Sequence, residues 1–221
     1  MRSPHYLRVK NILVVALIAS SILGSCTNHE ATPASLTADA MLEKLEVAMP
    51  VDADTFSREL FGDTYIDADD DCQNTRDEVL IRDSERVTTG NCDIYTGFWK
   101  SDYESFSTIN ASDMTIDHLV ALKEAWISGA SRWATERRQR FFNDLGFSFS
   151  LSLMSRNLNS EKGEKDPSSW LPKQSICTYV VRWIAVKYRW ALTIDRDEKS
   201  NILPILDGSC GQIKVDVIVE D

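Results

Sequence analysis

Thr115-Ile116-Asp117-His118-Leu119-Val120 places an Asp-His pair inside a short run of strand-forming residues. β-Branched residues favour strands, so the run predicts a strand that brings Asp117 and His118 to its end, next to a loop. The chain has three histidines, and the other two, His5 and His29, lie in a leader segment and a polar tail. His118 is therefore the candidate general base, since imidazole titrates near neutral pH. An isolated Asp-His pair is also compatible with a buried histidine that does no chemistry.

The composition is that of a globular protein with unevenly distributed charge. The 221 residues are 43% hydrophobic and 26% charged, with a net charge of −10. This charge argues against a general nucleic-acid binder, but residues 117–190 hold 12 Lys and Arg against 7 Asp and Glu. Such a basic segment can attract phosphate locally. The alternative is that charged residues on solvated helix faces are unevenly distributed without any function.

The N-terminus has the features of an export signal. Basic residues precede an apolar run over residues 12–23, which is too short to span a bilayer comfortably. Cys26 follows directly behind two small residues, an arrangement that resembles a lipoprotein signal. We therefore predict a lipoprotein-type signal peptide over residues 1–25, a lipidated Cys26 and attachment to a membrane. The alternative is an ordinary signal peptide that is cut near the same place, with plain secretion.

The cysteines are consistent with export. If Cys26 carries lipid, four remain, which can form two disulfides in an oxidising compartment: Cys72, Cys92, Cys177 and Cys210. A zinc site is disfavoured because the chain has no Cys-x-x-Cys pair.

Local patterns predict one mixed α and β domain over residues 51–221, preceded by a tether and a short helix over residues 26–50. The expected strands cover residues 78–82, 92–95 and 145–154. The expected helices cover residues 121–128, 133–142 and 178–192, and Asp195 caps a last one. Residues 155–167 are polar and predict a loop. The acidic run at residues 67–71 lacks the glycine of an EF-hand, so it predicts a solvated turn that can hold a cation weakly.

A second informative stretch is Asn159-Ser160-Glu161-Lys162, which follows a second predicted strand. An Asp-His strand, another strand and then Asn-x-x-Lys resembles the HNH, or ββα-metal, endonucleases. The chain is similar to an exported branch that shares the C-terminal domain of GmrSD-type restriction enzymes. The similar runs are residues 77–82, 116–120, 124–126, 142–144 and 162–167. The resemblance covers residues 56–210 and implies an α+β fold with a ββα-metal core, additional helices and short strands.

The resemblance implies metal-dependent hydrolysis of phosphodiester bonds. Asp117 and Asn159 are then the metal ligands, and His118 takes the proton from the attacking water. Oxygen ligands favour Mg²⁺ or Mn²⁺. Lys162 either neutralises charge on the phosphate or is an ordinary surface lysine.

The implied substrate is nucleic acid, with DNA expected rather than RNA. The candidate backbone contacts are basic residues, which need charge but no reading of base sequence: Arg137, Arg138, Arg140, Arg156 and Lys165. For each of them taken alone, a solvated surface charge is the preferred interpretation.

The sequence departs from the family at one position and agrees with it in its cysteines. The family has a middle Asn that braces the metal-site loop, and here that position is Ser150, whose side chain is shorter. Asn157 is a possible substitute. Together with proximity in sequence, the resemblance implies the disulfides Cys72–Cys92 and Cys177–Cys210.

Two other functions remain open from the sequence. The Ser150 departure favours a catalytically impaired relative that binds nucleic acid or a partner at the cell envelope. The acidic run at residues 67–71 favours a structural or calcium-binding lipoprotein.

Overall fold

The computed structural model describes residues 33–220, and its helices and strands are short and interleaved along the chain. The helices are α1 (Ala38–Lys44), α2 (Thr75–Arg82), α3 (Leu122–Ile127), α4 (Thr135–Phe142), α5 (Arg156–Lys162), α6 (Ile176–Arg189) and α7 (Arg196–Leu206). The strands are β1 (Ala34–Thr37), β2 (Thr96–Lys100), β3 (Ser107–Asn110), β4 (Met114–His118), β5 (Leu151–Ser155) and β6 (Lys214–Val217). The predicted signal peptide and Cys26 lie outside the described residues. Within residues 33–220, no helix combines the length and the apolar character that crossing a membrane requires.

Three antiparallel strand pairs organise the described chain: β1 with β6, β2 with β3, and β4 with β5. In the β4–β5 pair, Asp117 lies opposite Ser152 and His118 lies opposite Leu151. Helix α5 begins directly after β5 and contacts both strands. The predicted strand at the Asp-His pair is therefore confirmed, and the pair lies at its C-terminal end.

The larger hydrophobic core surrounds α6. This helix has apolar residues at helical spacing, so most of its surface is buried against α1, α7 and the aromatic residues of α4. Trp183, Trp190 and Phe142 are almost completely buried there. Strand β1 pairs with β6, and α1 packs against α6. The short helix predicted before residue 50 therefore packs against the rest of the described chain.

A smaller core lies between α2 and the β4–β5 pair. Val79 and Leu80 from α2 pack with Trp99 of β2, Ile116 of β4 and Leu153 of β5. The Trp99 indole donates a hydrogen bond to the Leu80 carbonyl at 2.8 Å, which satisfies its one polar atom. The smaller core thus includes Met114 and Ile116 of β4, and the larger core includes Leu119 and Val120 directly after the strand.

Four local predictions were wrong in whole or in part. Residues 78–82 belong to α2, because the Asn74 side chain accepts from the Arg76 amide and starts a helix. The strand predicted over residues 145–154 begins only at Leu151, as β5, because the residues directly before it form a turn. Part of the predicted 155–167 loop is α5, whose first turn is capped by the Ser155 hydroxyl accepting from the Leu158 amide. Residues 92–95 precede β2 without forming a strand.

The helix predictions in the second half of the chain are confirmed with small shifts at their ends. Residues 121–128 contain α3, residues 133–142 contain α4, and α6 begins two residues earlier than the predicted 178–192 segment. The Asp195 carboxylate accepts from the Glu198 amide at 2.8 Å and caps α7.

Both predicted disulfides are present. The Cα atoms of Cys72 and Cys92 are 4.9 Å apart, and those of Cys177 and Cys210 are 5.8 Å apart. The first bridge closes 20 residues and the second closes 33. By the chain-entropy relation, each contributes about 3–4 kcal/mol to the free energy of unfolding.

A buried charge cluster ties α3 to α6 and α7. The Lys187 ammonium is completely buried and donates to the carboxylates of Glu124, at 2.7 Å, and Glu198, at 2.6 Å. It also donates to the Ser128 hydroxyl and the Thr193 carbonyl. Because α3 follows β4 almost at once, this cluster also fixes the chain just beyond His118.

We expect Lys187→Met to lower the free energy of unfolding by about 3–5 kcal/mol, because it leaves buried carboxylates without a cation. Lys123→Met is the matched control, since Lys123 on α3 pairs with Glu164 where both side chains are exposed. That change should cost less than about 1 kcal/mol. Urea unfolding of both variants measures the difference, and equal losses would contradict the role given to the buried cluster.

Candidate active site

Strand β4 and helix α5 bring three of the sequence-predicted residues to one pocket. Asp117, His118 and Asn159 all line an open pocket of about 460 Å³. Asp117 and His118 come from the end of β4, and Asn159 comes from the second turn of α5. The Asn159 amide also donates to the Thr115 hydroxyl at 3.4 Å, which links the helix to the strand.

One of the two ring nitrogens of His118 is hydrogen-bonded to the backbone. Its Nε2 atom lies 2.9 Å from the Phe142 carbonyl oxygen, and the ring packs on Phe141 and Phe142. A carbonyl only accepts, so Nε2 carries the hydrogen, and Nδ1 keeps its lone pair. Burial lowers the pKa of His118 to about 3, although the hydrogen bond with Phe142 opposes this. The imidazole is therefore neutral at neutral pH, which is the state that a general base requires.

Asp117 forms a buried ion pair on one of its oxygens. Its Oδ1 accepts from the Lys162 ammonium at 2.9 Å, and Lys162 also donates to the His118 carbonyl at 3.0 Å. The other oxygen, Oδ2, is buried and has no hydrogen-bond partner among the described residues. Burial raises the pKa of Asp117, and the Lys162 ammonium opposes that rise. The Asn-x-x-Lys spacing places Asn159 and Lys162 on the same side of α5.

The side chains of this pocket fit a divalent cation. The unpartnered Oδ2 of Asp117 is a buried acceptor in need of a positive partner, and the Asn159 amide offers a second oxygen at the same pocket. Hard cations such as Mg²⁺ prefer oxygen ligands and commonly keep several waters, so two protein oxygens in an open pocket suffice.

Lys162 does not lie where the sequence analysis expected a phosphate contact. Its side chain is fully buried and its ammonium is used by Asp117 and the His118 carbonyl. In this position, Lys162 links helix α5 to the end of strand β4.

Ser150 and Asn157 lie away from the pocket. The buried Ser150 hydroxyl donates to Asp144 at 2.6 Å, and its carbonyl accepts from the Leu119 amide. Asp144 in turn accepts from both Arg189 and the Trp190 indole. Ser150 therefore fixes the α4–β5 connection, which begins directly after Phe142. Asn157 is exposed on α5, and residues two apart on a helix do not share a face with each other.

The predicted backbone-binding cations are scattered. Arg138 is buried and donates to the Leu60 carbonyl, and Arg137 donates to the carbonyls of Trp190 and Glu220. Arg156 donates to the Ser112 carbonyl. Arg140 and Lys165 are exposed, and neither lines the pocket that holds His118: Arg140 lines a separate one, and Lys165 donates to the Glu161 carbonyl. The structure gives Arg137 and Arg138 roles in packing, which does not fit the predicted nucleic-acid contacts.

Other residues of the pocket were missed by the sequence analysis. Phe56, Arg58 and Tyr65 form part of its wall, and Lys123 and Glu164 lie at it as an exposed ion pair. No spacing motif connects residues 56–65 to His118, so only the fold could reveal them.

The acidic run forms a turn. The carboxylate oxygens of Asp67, Asp69 and Asp71 lie within 4.8 Å of one another and are exposed. The Asp67 carboxylate accepts from the amides of Asp71 and Cys72, as in a local turn.

An acid, a neutral imidazole and an amide line one open pocket, and comparisons with known proteins place the chain in a nuclease-type family. Residues 68–205 match the model of the GmrSD restriction endonucleases, C-terminal domain. An uncharacterized secreted protein of Arthroderma benhamiae (strain ATCC MYA-4681 / CBS 112371) is 39% identical over 178 residues, covering 79% of this chain and 86% of the relative. No solved structure matches the chain. The chain therefore belongs to the family of GmrSD C-terminal domains, as its sequence motifs predict.

Proposed function

We propose that this protein is a metal-dependent endonuclease of the HNH type that hydrolyses phosphodiester bonds of nucleic acid. The observation that carries the proposal is the convergence of Asp117, His118 and Asn159 on one open pocket. The antiparallel β4–β5 pair followed by α5 has the order of a ββα-metal core, and the nuclease-type family supports the same reading.

In this proposal, His118 is the general base. The Phe142 carbonyl holds the hydrogen on Nε2, so Nδ1 receives the proton from the attacking water. The water oxygen bonds to phosphorus as the bond to the 3′ oxygen breaks, and that oxygen leaves with the electron pair. The ring must be neutral at the start, which its buried setting favours.

Asp117 and Asn159 would hold one divalent metal ion, Mg²⁺ or Mn²⁺, through their side-chain oxygens. When bound there, such an ion supplies positive charge that stabilises the phosphate and the leaving oxygen. Lys162 keeps the Asp117 carboxylate in place by donating to its Oδ1, while Oδ2 has no hydrogen-bond partner among the described residues.

We further propose that the protein acts outside the cytoplasm on DNA rather than RNA. The relative's name as a secreted protein, the two disulfides and the predicted signal peptide support export. Lipidation of Cys26 would attach the protein to a membrane surface.

A second candidate function is that of a catalytically impaired relative that binds nucleic acid. The ion pair between Lys162 and Asp117 favours it, because an ammonium already neutralises the carboxylate that would bind a metal.

A plasmid-nicking assay separates the two functions. The purified protein should convert supercoiled plasmid to open circles in Mg²⁺ or Mn²⁺, and excess EDTA should abolish the conversion. Re-addition of either metal should restore it. Binding of duplex DNA without any nicking would favour the impaired relative, and nicking that persists in EDTA would contradict metal dependence.

A further inference from the structure

Arg58 lies on the wall of the candidate pocket, in a segment that the family match does not include. It begins a short 3₁₀ helix (Arg58–Leu60) and lines the pocket together with Asp117, His118 and Asn159. The matched region starts at residue 68, so Arg58 lies ten residues before it.

The Arg58 guanidinium is fixed relative to the candidate base. Its central carbon lies 5.3 Å from the centre of the Phe142 ring, over the ring face. The same Phe142 holds His118 through its carbonyl. A guanidinium that lies over an aromatic ring keeps the N–H donors of its edge available. One residue, Phe142, thus positions both the imidazole and the cation.

The other cations near the pocket are already paired. Lys162 is buried against Asp117, and Lys123 pairs with Glu164 at 2.9 Å. Arg58 is exposed. It takes part in none of the ion pairs found among residues 33–220. The adjacent Glu59 carboxylate accepts a hydrogen bond from the Ser57 hydroxyl. Arg58 therefore offers charge and donors to a ligand at the pocket.

We propose that Arg58 binds the scissile phosphate of the nucleic-acid substrate, an inference that rests on the proposed nuclease function. The fork of a guanidinium matches two phosphate oxygens in a bidentate contact. Arg58 then supplies the phosphate contact that the sequence analysis assigned to Lys162. A phosphate contact carries no base information, so Arg58 contributes equally to cleavage at every sequence.

Two substitutions and one control test the assignment. Arg58→Gln should lower kcat/KM for plasmid nicking by about 10- to 100-fold, because a charged bidentate contact is lost. Arg58→Lys keeps the charge without the fork and should fall between the parent and Arg58→Gln. Arg132→Gln removes the same charge from an exposed residue that does not line the pocket, and it should match the parent. Thermal unfolding of each variant reports whether the fold is intact.

Binding gives a readout that does not need catalysis. The affinity for a fluorescent duplex, measured by anisotropy in EDTA at several salt concentrations, should be lower for Arg58→Gln. The slope of the logarithm of the binding constant against the logarithm of salt should fall by about one.

The outcomes separate this inference from the proposed function. If the parent cleaves and Arg58→Gln cleaves equally well, the Arg58 assignment is wrong and the nuclease function stands. If the parent binds duplex without cleaving it, the nuclease function is wrong, and the salt slope alone decides the role of Arg58. If the parent neither binds nor cleaves, both are wrong.

Discussion

His118→Ala is expected to lower the rate of phosphodiester hydrolysis by about 10²–10⁴-fold, the usual effect of losing a general base. The imidazole is buried at the pocket, its Nε2 is engaged by Phe142, and its Nδ1 is left to accept a proton. The initial rate of plasmid nicking at saturating metal measures the loss. Unchanged cleavage by His118→Ala would remove His118 from the mechanism.

A matched variant separates catalysis from packing. His118→Gln keeps an amide that can donate to the Phe142 carbonyl, but it cannot take up a proton near neutral pH. We therefore expect the same loss of rate as in His118→Ala, together with a smaller loss of stability in thermal unfolding. If His118→Gln keeps the parent rate, the ring has only a structural role.

The strand that carries this residue was predictable because its signals are local. β-Branched residues flank the Asp-His pair, and they form β4 as expected. The same reasoning was wrong at residues 78–82, where an apolar run of strand length is part of α2. Short apolar runs have no period that separates helix from strand, and here the Asn74 cap decides the outcome.

Helix α5 was missed for a different reason. Leu158 is its one apolar residue, so its sequence shows little amphipathic pattern, and the Ser155 cap is the main local signal. Once the helix forms, the Asn-x-x-Lys spacing turns Asn159 towards the pocket and Lys162 into the interior. A motif alone could not reveal that Lys162 is fully buried against Asp117.

The rest of the site depends on contacts between distant parts of the chain. Phe142 contributes a backbone carbonyl, and every residue type has one, so its role cannot be predicted from the residue type. Arg58 lines the pocket from a position 60 residues before His118 in the sequence. Asp144 connects Ser150 to Arg189 and thereby fixes the chain beside Phe142. Such contacts follow from tertiary packing, so the sequence predicted Asp117, His118 and Asn159, which line one pocket, and did not predict the groups that contact them.

Activity is expected to depend most steeply on Asp117, which contributes formal negative charge and an unpartnered oxygen to the pocket. Asp117→Asn should abolish nicking at millimolar Mg²⁺ or Mn²⁺. Asn159→Ala should raise the metal concentration needed for half-maximal rate, because one neutral ligand is lost while the carboxylate remains. The rate measured across a metal titration distinguishes the two variants.

Asp117→Asn also removes the carboxylate partner of a fully buried ammonium, so this variant should lose about 3–5 kcal/mol of unfolding free energy. A loss of activity could then follow from unfolding alone. The double variant Asp117→Asn with Lys162→Met removes both charges together and should recover most of that stability, because two apolar or neutral groups replace the pair. If the double variant regains its fold and stays inactive at every metal concentration, the carboxylate acts on the metal. If it regains activity along with stability, or if Asn159→Ala needs no more metal than the parent, Asp117 and Asn159 are not the ligands.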